Sequence, residues 1–278
     1  MEKSPQKIAW QFEKVSFYVV AHADDWQLFM HPNVYADLVD PGCKVIFIIA
    51  TAGDSGRDKE FWAAREEGSK SSTRFCLAPV SGLSESSGNR QFNNHTVHYW
   101  SINNTTSYFL RLPDGNLDGN GFAACHFQSL SKFRSGQIDA ITAVDNSTTY
   151  HNWTELVTTI ASIVEVETAD IPGRFIQYQN PDTTINPKDH PDHIATGLAV
   201  QSMSVTTTLH QSLFVGYSVR SIEDELTVND LFWKAGMFAA YEKAVYDLCG
   251  YSTLQEDPPL YVKWCSGPSK FVTILPVS

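Results

Sequence analysis

The chain has 278 residues, 42% hydrophobic and 18% charged, the balance of a globular protein able to bury a sizeable core. Its formal net charge of −11, without any Lys/Arg cluster, excludes the basic footprint of a nucleic-acid binder. No run reaches the roughly 18 apolar residues that a membrane span needs, and "MEKSPQKIAW" carries no apolar stretch before a cleavage site. The five cysteines (Cys43, Cys76, Cys125, Cys249, Cys265) are scattered and form no CxxC pair. They read as free thiols in a reducing cytoplasm, with a Cys249–Cys265 bridge left open.

In chain order, "VSFYVVAH" (15–22) and "KVIFIIAT" (44–51) are apolar at nearly every position, as strands of a parallel sheet covered on both faces are. A short helix is expected between them, ending near Pro41-Gly42. "TAGDSGRDKEFWAAREEGSKSSTRFCLA" opens as a Gly/Asp/Ser loop and continues as a helix. From about 80 to 125 the texture changes. "SGLSESSGNRQFNNH" reads as a flexible polar loop, "TVHYWSI" and "TSYFLRLP" as aromatic strands, and "DGNLDGNG" as a turn cluster. The sheet is expected to resume at "IDAITAVD" (138–145), followed by a helix over about 153–168, a strand at 174–179 and a helix at 190–203. "HQSLFVGYSV" (210–219) and the long helix in "LTVNDLFWKAGMFAAYEKAVYDLCG" complete the series. This rhythm predicts a doubly wound, Rossmann-like α/β fold with a mostly parallel sheet. The expected organisation is one domain over 1–278, with an insertion at about 80–125 and a C-terminal helical and tail segment at about 222–278.

Two clusters carry chemistry. "HADD" (22–25) ends the first strand, and "HPDH" (190–193) follows the strand 174–179 and opens a helix. Ligands of open α/β sheets collect outside the carboxyl ends of the strands. Charge placed there without compensation is costly, and a metal ion is the natural compensation. His22 and Asp25, three apart, can aim at one point. With one histidine from the second cluster they make a nitrogen and carboxylate set suited to Zn²⁺, leaving a position open for water. Asp24 and the other histidine are then free for proton transfer, an arrangement for hydrolysing an amide or ester. Taken alone, "HADD" reads as a helix cap with a hydrogen-bonded histidine, and "HPDH" as a solvated helix start. Together, at matching strand ends, they point to a site.

"AHADD" followed by "HPDH" resembles the signatures of the PIG-L/LmbE-like zinc de-N-acetylases, an A-H-P-D-D-E and a later H-P-D-H. "RDKEFWAARE" and "LRLPDG" are looser matches. The resemblance implies His22, Asp25 and His193 as zinc ligands and Asp24 as the general base. It implies His190 as the group that steadies the oxyanion or protonates the leaving amine, and Arg65 and Asp114 as sugar-binding positions. Ala23 stands where the family has proline, and Trp26 where it has glutamate. "AHADDWQLF" is most similar to the deacetylases of glycopeptide-antibiotic biosynthesis, which act on an N-acetylglucosaminyl group of a teicoplanin-type pseudoaglycone. The implied partner is therefore a small-molecule glycopeptide. The other readings are a metallophosphoesterase, which would ordinarily place more Lys/Arg near the metal, and a non-catalytic sugar binder, which would need neither Asp24 nor His190.

Trp26 carries one further expectation. Beside the apolar "LFM" it reads either as a core residue or as an indole lining the mouth of the zinc pocket; the second is the expectation carried forward, with Tyr99, Trp100, Tyr108, Phe109, Tyr150 and Trp153 as further aromatics of the rim.

Overall fold

The computed structural model describes residues 12–80, 82–221 and 226–276; the N-terminal segment read above for a secretory signal lies outside them. In chain order the strands are β1 (Lys14–Val20), β2 (Cys43–Thr51), β3 (Glu85–Phe92), β4 (His95–Ile102), β5 (Thr105–Leu112), β6 (Ile141–Thr142), β7 (Thr149–Tyr150), β8 (Gly173–Gln179), β9 (His210–Phe214) and β10 (Phe271–Ile274). The helices are α1 (Asp25–Phe29), α2 (Asn33–Val39), α3 (Lys59–Leu77), α4 (Leu130–Arg134), α5 (Trp153–Glu167), α6 (Pro191–Ser202), α7 (Val228–Cys249), α8 (Thr253–Glu256) and α9 (Pro258–Ser266).

Eight strands form one sheet in the order β10-β9-β8-β1-β2-β5-β4-β3. The run from β9 to β5 is parallel, and the pairs toward both edges are antiparallel. β1 and β2 are buried almost throughout because the sheet is covered on both faces, which is why their sequences do not alternate. On one face Val15, Phe17 and Val19 pack with residues of α4, α5 and α6, such as Phe133, Ile160 and Val200. On the other, Tyr18 and Val20 pack with residues of α1, α3 and α7, such as Leu28, Leu77 and Tyr241. The chain leaves β1 toward β2 and β5 on one side, and later returns through β8 on the other. The strand order therefore reverses between β1 and β8, the place where such sheets open a ligand crevice.

Two expectations are corrected. The "flexible loop" of 81–95 contains β3, an edge strand paired with β4 from Glu85↔Ile102 to Phe92↔His95. Its turn is Asn93-Asn94, both at positive φ (48° and 65°), the geometry of a tight hairpin. β3 is polar because nearly all of it faces solvent. Nor does 138–145 rejoin the main sheet: only Ile141–Thr142 is strand, paired with Thr149–Tyr150 in a separate two-stranded ribbon. Beyond Thr142 the chain reverses through Asn146 at φ 57°, and Val144 donates its N–H to the Arg111 carbonyl.

All five cysteines are free. Among the described residues no helix is long and apolar enough to cross a membrane.

Candidate metal and active site

The two sequence clusters meet at the β1/β8 crevice. After β1 the chain turns so that Asp25 Oδ2 accepts the His22 backbone N–H at 2.7 Å, which fixes their side chains on the same side. After β8, His190 caps α6: its Nδ1 accepts the Asp192 N–H at 3.1 Å, with Pro191 in the first turn, where a missing N–H costs little. His193, one turn along, faces the first cluster.

His22 Nδ1, Asp25 Oδ1 and His193 Nε2 converge. The nitrogens lie 3.3 Å apart, and the carboxylate oxygen is 3.1 Å from His193 and 3.6 Å from His22. Tetrahedral ligands with bonds of about 2.1 Å stand about 3.4 Å apart, so the three atoms already have the spacing a metal ion requires. Their outer nitrogens explain why no proton is needed between them. His22 Nε2 faces Asp192 Oδ2 at 3.4 Å, and His193 Nδ1 faces Asp189 Oδ1 at 2.9 Å. With those nitrogens protonated, both inner nitrogens present lone pairs, among buried side chains, toward each other and a carboxylate. Such a set fits a cation.

The electrostatics agree. Burial opposes charge on each group, yet the neighbouring His193 and His22 hold the Asp25 carboxyl well below its usual range. Burial lowers the His193 pKa, but Asp189 and Asp25 outweigh it and carry the value to about 10. His22 is likewise raised, burial being overcome chiefly by Asp25. The three residues are counter-ions to one another, and a metal would take the place of the protons. His190 behaves oppositely: burial, then the charge on His22, push it down to about 4.

A second group, His22, Asp114, His190 and Asp192, also lies close together. There His190 Nδ1 is already occupied by a backbone N–H, and His22 offers the nitrogen that faces Asp192.

Asp24 and Arg65 line the same cavity, of about 560 Å³, with His22, Asp25, Asp114 and His190. Arg65 donates Nη2 to Asp24 Oδ1 (2.5 Å), Nη1 to the Gly53 carbonyl (2.7 Å) and Nε to Tyr241 Oη (2.7 Å). Gly53, at φ 57°, has no alternative: a Cβ there would fall 2.2 Å from Arg65 Nη1. Asp114 accepts the Asn116 N–H at 2.8 Å, and its own N–H goes to Asp54.

Trp26 is not at the mouth. It is 0% exposed, its ring lies 4.7 Å from that of Phe47 at a tilt of 32°, and it donates Nε1 to Ser69 Oγ at 2.9 Å. Successive helical residues point about 100° apart, so when Asp25 faces the crevice, Trp26 faces the core between β2 and α3. Trp100, Tyr108, Phe109 and Tyr150 are buried, and none of the aromatics expected with them lines the cavity. The aromatic wall comes from Phe29, Tyr217, Tyr251, Tyr261 and Trp264. Tyr217 and Trp264 rings lie 4.6 Å apart, and Tyr261 meets Trp264 edge-on at 5.0 Å. The sequence reading missed this wall, and it missed Asp189 and Asp192. Asp192 stood inside a quoted motif, whereas Asp189 had only its place four residues before His193 as a signal.

The family described as "PIG-L: GlcNAc-PI de-N-acetylase" matches residues 17–204, which hold both clusters. No curated protein matches the chain. Among solved structures, the N,N′-diacetylchitobiose deacetylase of Pyrococcus horikoshii, in complex with an inhibitor, is 15% identical with a TM-score of 0.51. The match covers 94% of this chain and 84% of that one. A triple mutant of the deacetylase involved in the teicoplanin biosynthetic pathway is 11% identical with a TM-score of 0.51, over 93% of this chain and 97% of that one. At these identities the likeness is one of fold. With two-thirds of its length matched and both signature clusters at one crevice, the chain belongs to the PIG-L family of de-N-acetylases.

Proposed function

We propose that the protein is a zinc-dependent deacetylase that removes the acetyl group from an N-acetylglucosaminyl unit carried on a bulky aromatic aglycone, as in a teicoplanin-type pseudoaglycone. The observation that carries this reading is the convergence of His22 Nδ1, Asp25 Oδ1 and His193 Nε2 at ligand spacing, with Asp24 and His190 in the same cavity. The ion would be held by those three residues and would supply Lewis acidity to a water and to the amide carbonyl.

The protein's own groups do the rest. Asp24 accepts a proton as water oxygen bonds to the amide carbon. Arg65 holds the Asp24 carboxylate in place through its other oxygen, Oδ1. His190 has its Nδ1 occupied by a backbone N–H, so its Nε2 carries hydrogen and donates to the developing oxyanion. As the C–N bond breaks, the proton held by Asp24 passes to the amine nitrogen, leaving acetate and a free glucosamine amine. The wall of Tyr217, Tyr251, Tyr261 and Trp264 supports an apolar, aromatic acceptor beyond the sugar. The similar deacetylase involved in the teicoplanin biosynthetic pathway points the same way.

The test is acetate release, with mass spectrometry of the product. The zinc-loaded protein is given N,N′-diacetylchitobiose, an aryl N-acetylglucosaminide and an N-acetylglucosaminyl teicoplanin pseudoaglycone. Faster deacetylation of the aromatic substrates is expected. Equal or faster turnover of chitobiose would exclude the aromatic acceptor, and no acetate from any of them would exclude the deacetylase reading.

A further inference from the structure

One buried carboxylate touches both the metal-ligand set and the aromatic wall. We propose that Asp189 is a positioning residue that builds the two together. It fixes the tautomer and direction of His193 and anchors Tyr217 against the cavity. The proposal rests on the metal reading above.

Asp189 Oδ1 stands 2.9 Å from His193 Nδ1, and both side chains are 0% exposed. Oδ1 also accepts a backbone N–H and Oδ2 accepts a side-chain amide, so both oxygens of the carboxylate act as acceptors. His193 must then carry hydrogen on Nδ1, which leaves the Nε2 lone pair directed at Asp25 Oδ1 and His22 Nδ1. A histidine without that partner is free to take the other tautomer or to rotate, and it then offers the metal nothing.

The same carboxylate accepts the Tyr217 backbone N–H at 3.0 Å and the Asn186 amide at 2.5 Å. Asn186 is tied in turn to the Asn180 carbonyl (3.0 Å) and accepts the Gly216 N–H (3.1 Å). The backbone comes so close that a Cβ on Gly216 would lie 2.4 Å from Asp189 Oδ1. Tyr217 is thereby held from behind while its ring packs 5.3 Å from His193 and lines the cavity. Lys188, directly before Asp189, sits at φ 58°, a conformation that disfavours any residue with a Cβ. The chain tolerates it where Asp189 and His190 are delivered to the site.

The experiment uses Asp189→Ala and Asp189→Asn in the full chain. Zinc affinity is measured by competition with a chromophoric chelator, and kinetics on an aryl N-acetylglucosaminide are taken at saturating zinc. The alanine variant should bind zinc about 10–100-fold more weakly, the usual effect of losing a ligand's outer partner. The asparagine variant should fall between, because its amide oxygen still accepts the Nδ1–H but without the charge. At saturating zinc, KM should rise by more than kcat falls, since Tyr217 has lost its anchor. Parent-like zinc affinity in both variants would overturn the proposal, even with a lowered melting temperature, because Asp189 would then be structural only. If the alanine variant does not fold, the asparagine variant decides by the same criterion. A parent that binds no zinc would instead overturn the metal reading itself, so the two failures are distinguishable.

Discussion

Arg65 Nη2 donates to Asp24 Oδ1 at 2.5 Å, with the two side chains only 10% and 6% exposed. The arginine expected to bind sugar is thus first of all the partner of the proposed base. Breaking one side of a buried pair leaves an uncompensated charge, which costs about 3–5 kcal/mol. Arg65→Ala should therefore lower both stability and kcat. Asp24→Asn should retain zinc while kcat falls by about 10²–10⁴-fold. Melting curves, metal content and initial rates check both; near-normal turnover in Asp24→Asn would remove it as the base.

Asp25→Ala and His193→Ala should each lose zinc on purification, since two ligands remain of three. For the parent, free zinc at a hundred times Kd should stabilise the fold by about 2.7 kcal/mol, seen as a rise in Tm that neither variant shows. An equal rise in either variant would take that residue out of the ligand set.

For Trp26, truncation to alanine should cost about 3–5 kcal/mol, the range for a large buried aromatic. The KM for an aryl glycoside should stay unchanged, because the indole packs on Phe47 and Ser69. A raised KM with an unaltered Tm would instead place the ring at the substrate.

Lys234 is 0% exposed and donates to the Gly267 carbonyl. Burial lowers its pKa from 10.5 to about 7. Between those values the unfolded chain binds a proton that the folded one does not, so stability rises with pH across that window. The penalty is full below about pH 7 and gone above about pH 10.5. Lys234→Met should raise stability at pH 6 by an amount on the order of a few kcal/mol, seen as a higher Tm, and should lose that advantage at pH 10. A variant less stable than the parent at pH 6 would mean that the ammonium is well compensated where it lies.

The centre of the fold and the ends of its strands were legible because their determinants are local. Unbroken apolar runs such as Phe17–Val20 and Val45–Ile49 are tolerated only where both faces of a strand are covered. His22, Asp24 and Asp25 on one side, and His190 and His193 on the other, announced themselves as charge at strand ends. What tertiary structure alone decided depends on neighbours distant in sequence. A polar strand such as Glu85–Phe92 looks like a loop until β4 supplies its hydrogen bonds. Trp26 could face core or cavity until the rotation of α1, set by Asp25 facing the crevice, turned it inward. The aromatic wall draws on Tyr217, Tyr251, Tyr261 and Trp264, brought beside His22 only by folding, across roughly two hundred residues of chain. Asp189 acquires its meaning from His193 on one side and the Gly216–Tyr217 backbone on the other. Local composition fixes which segments must be buried or extended; which side chains then share a volume of a few ångströms is set by packing over the whole chain.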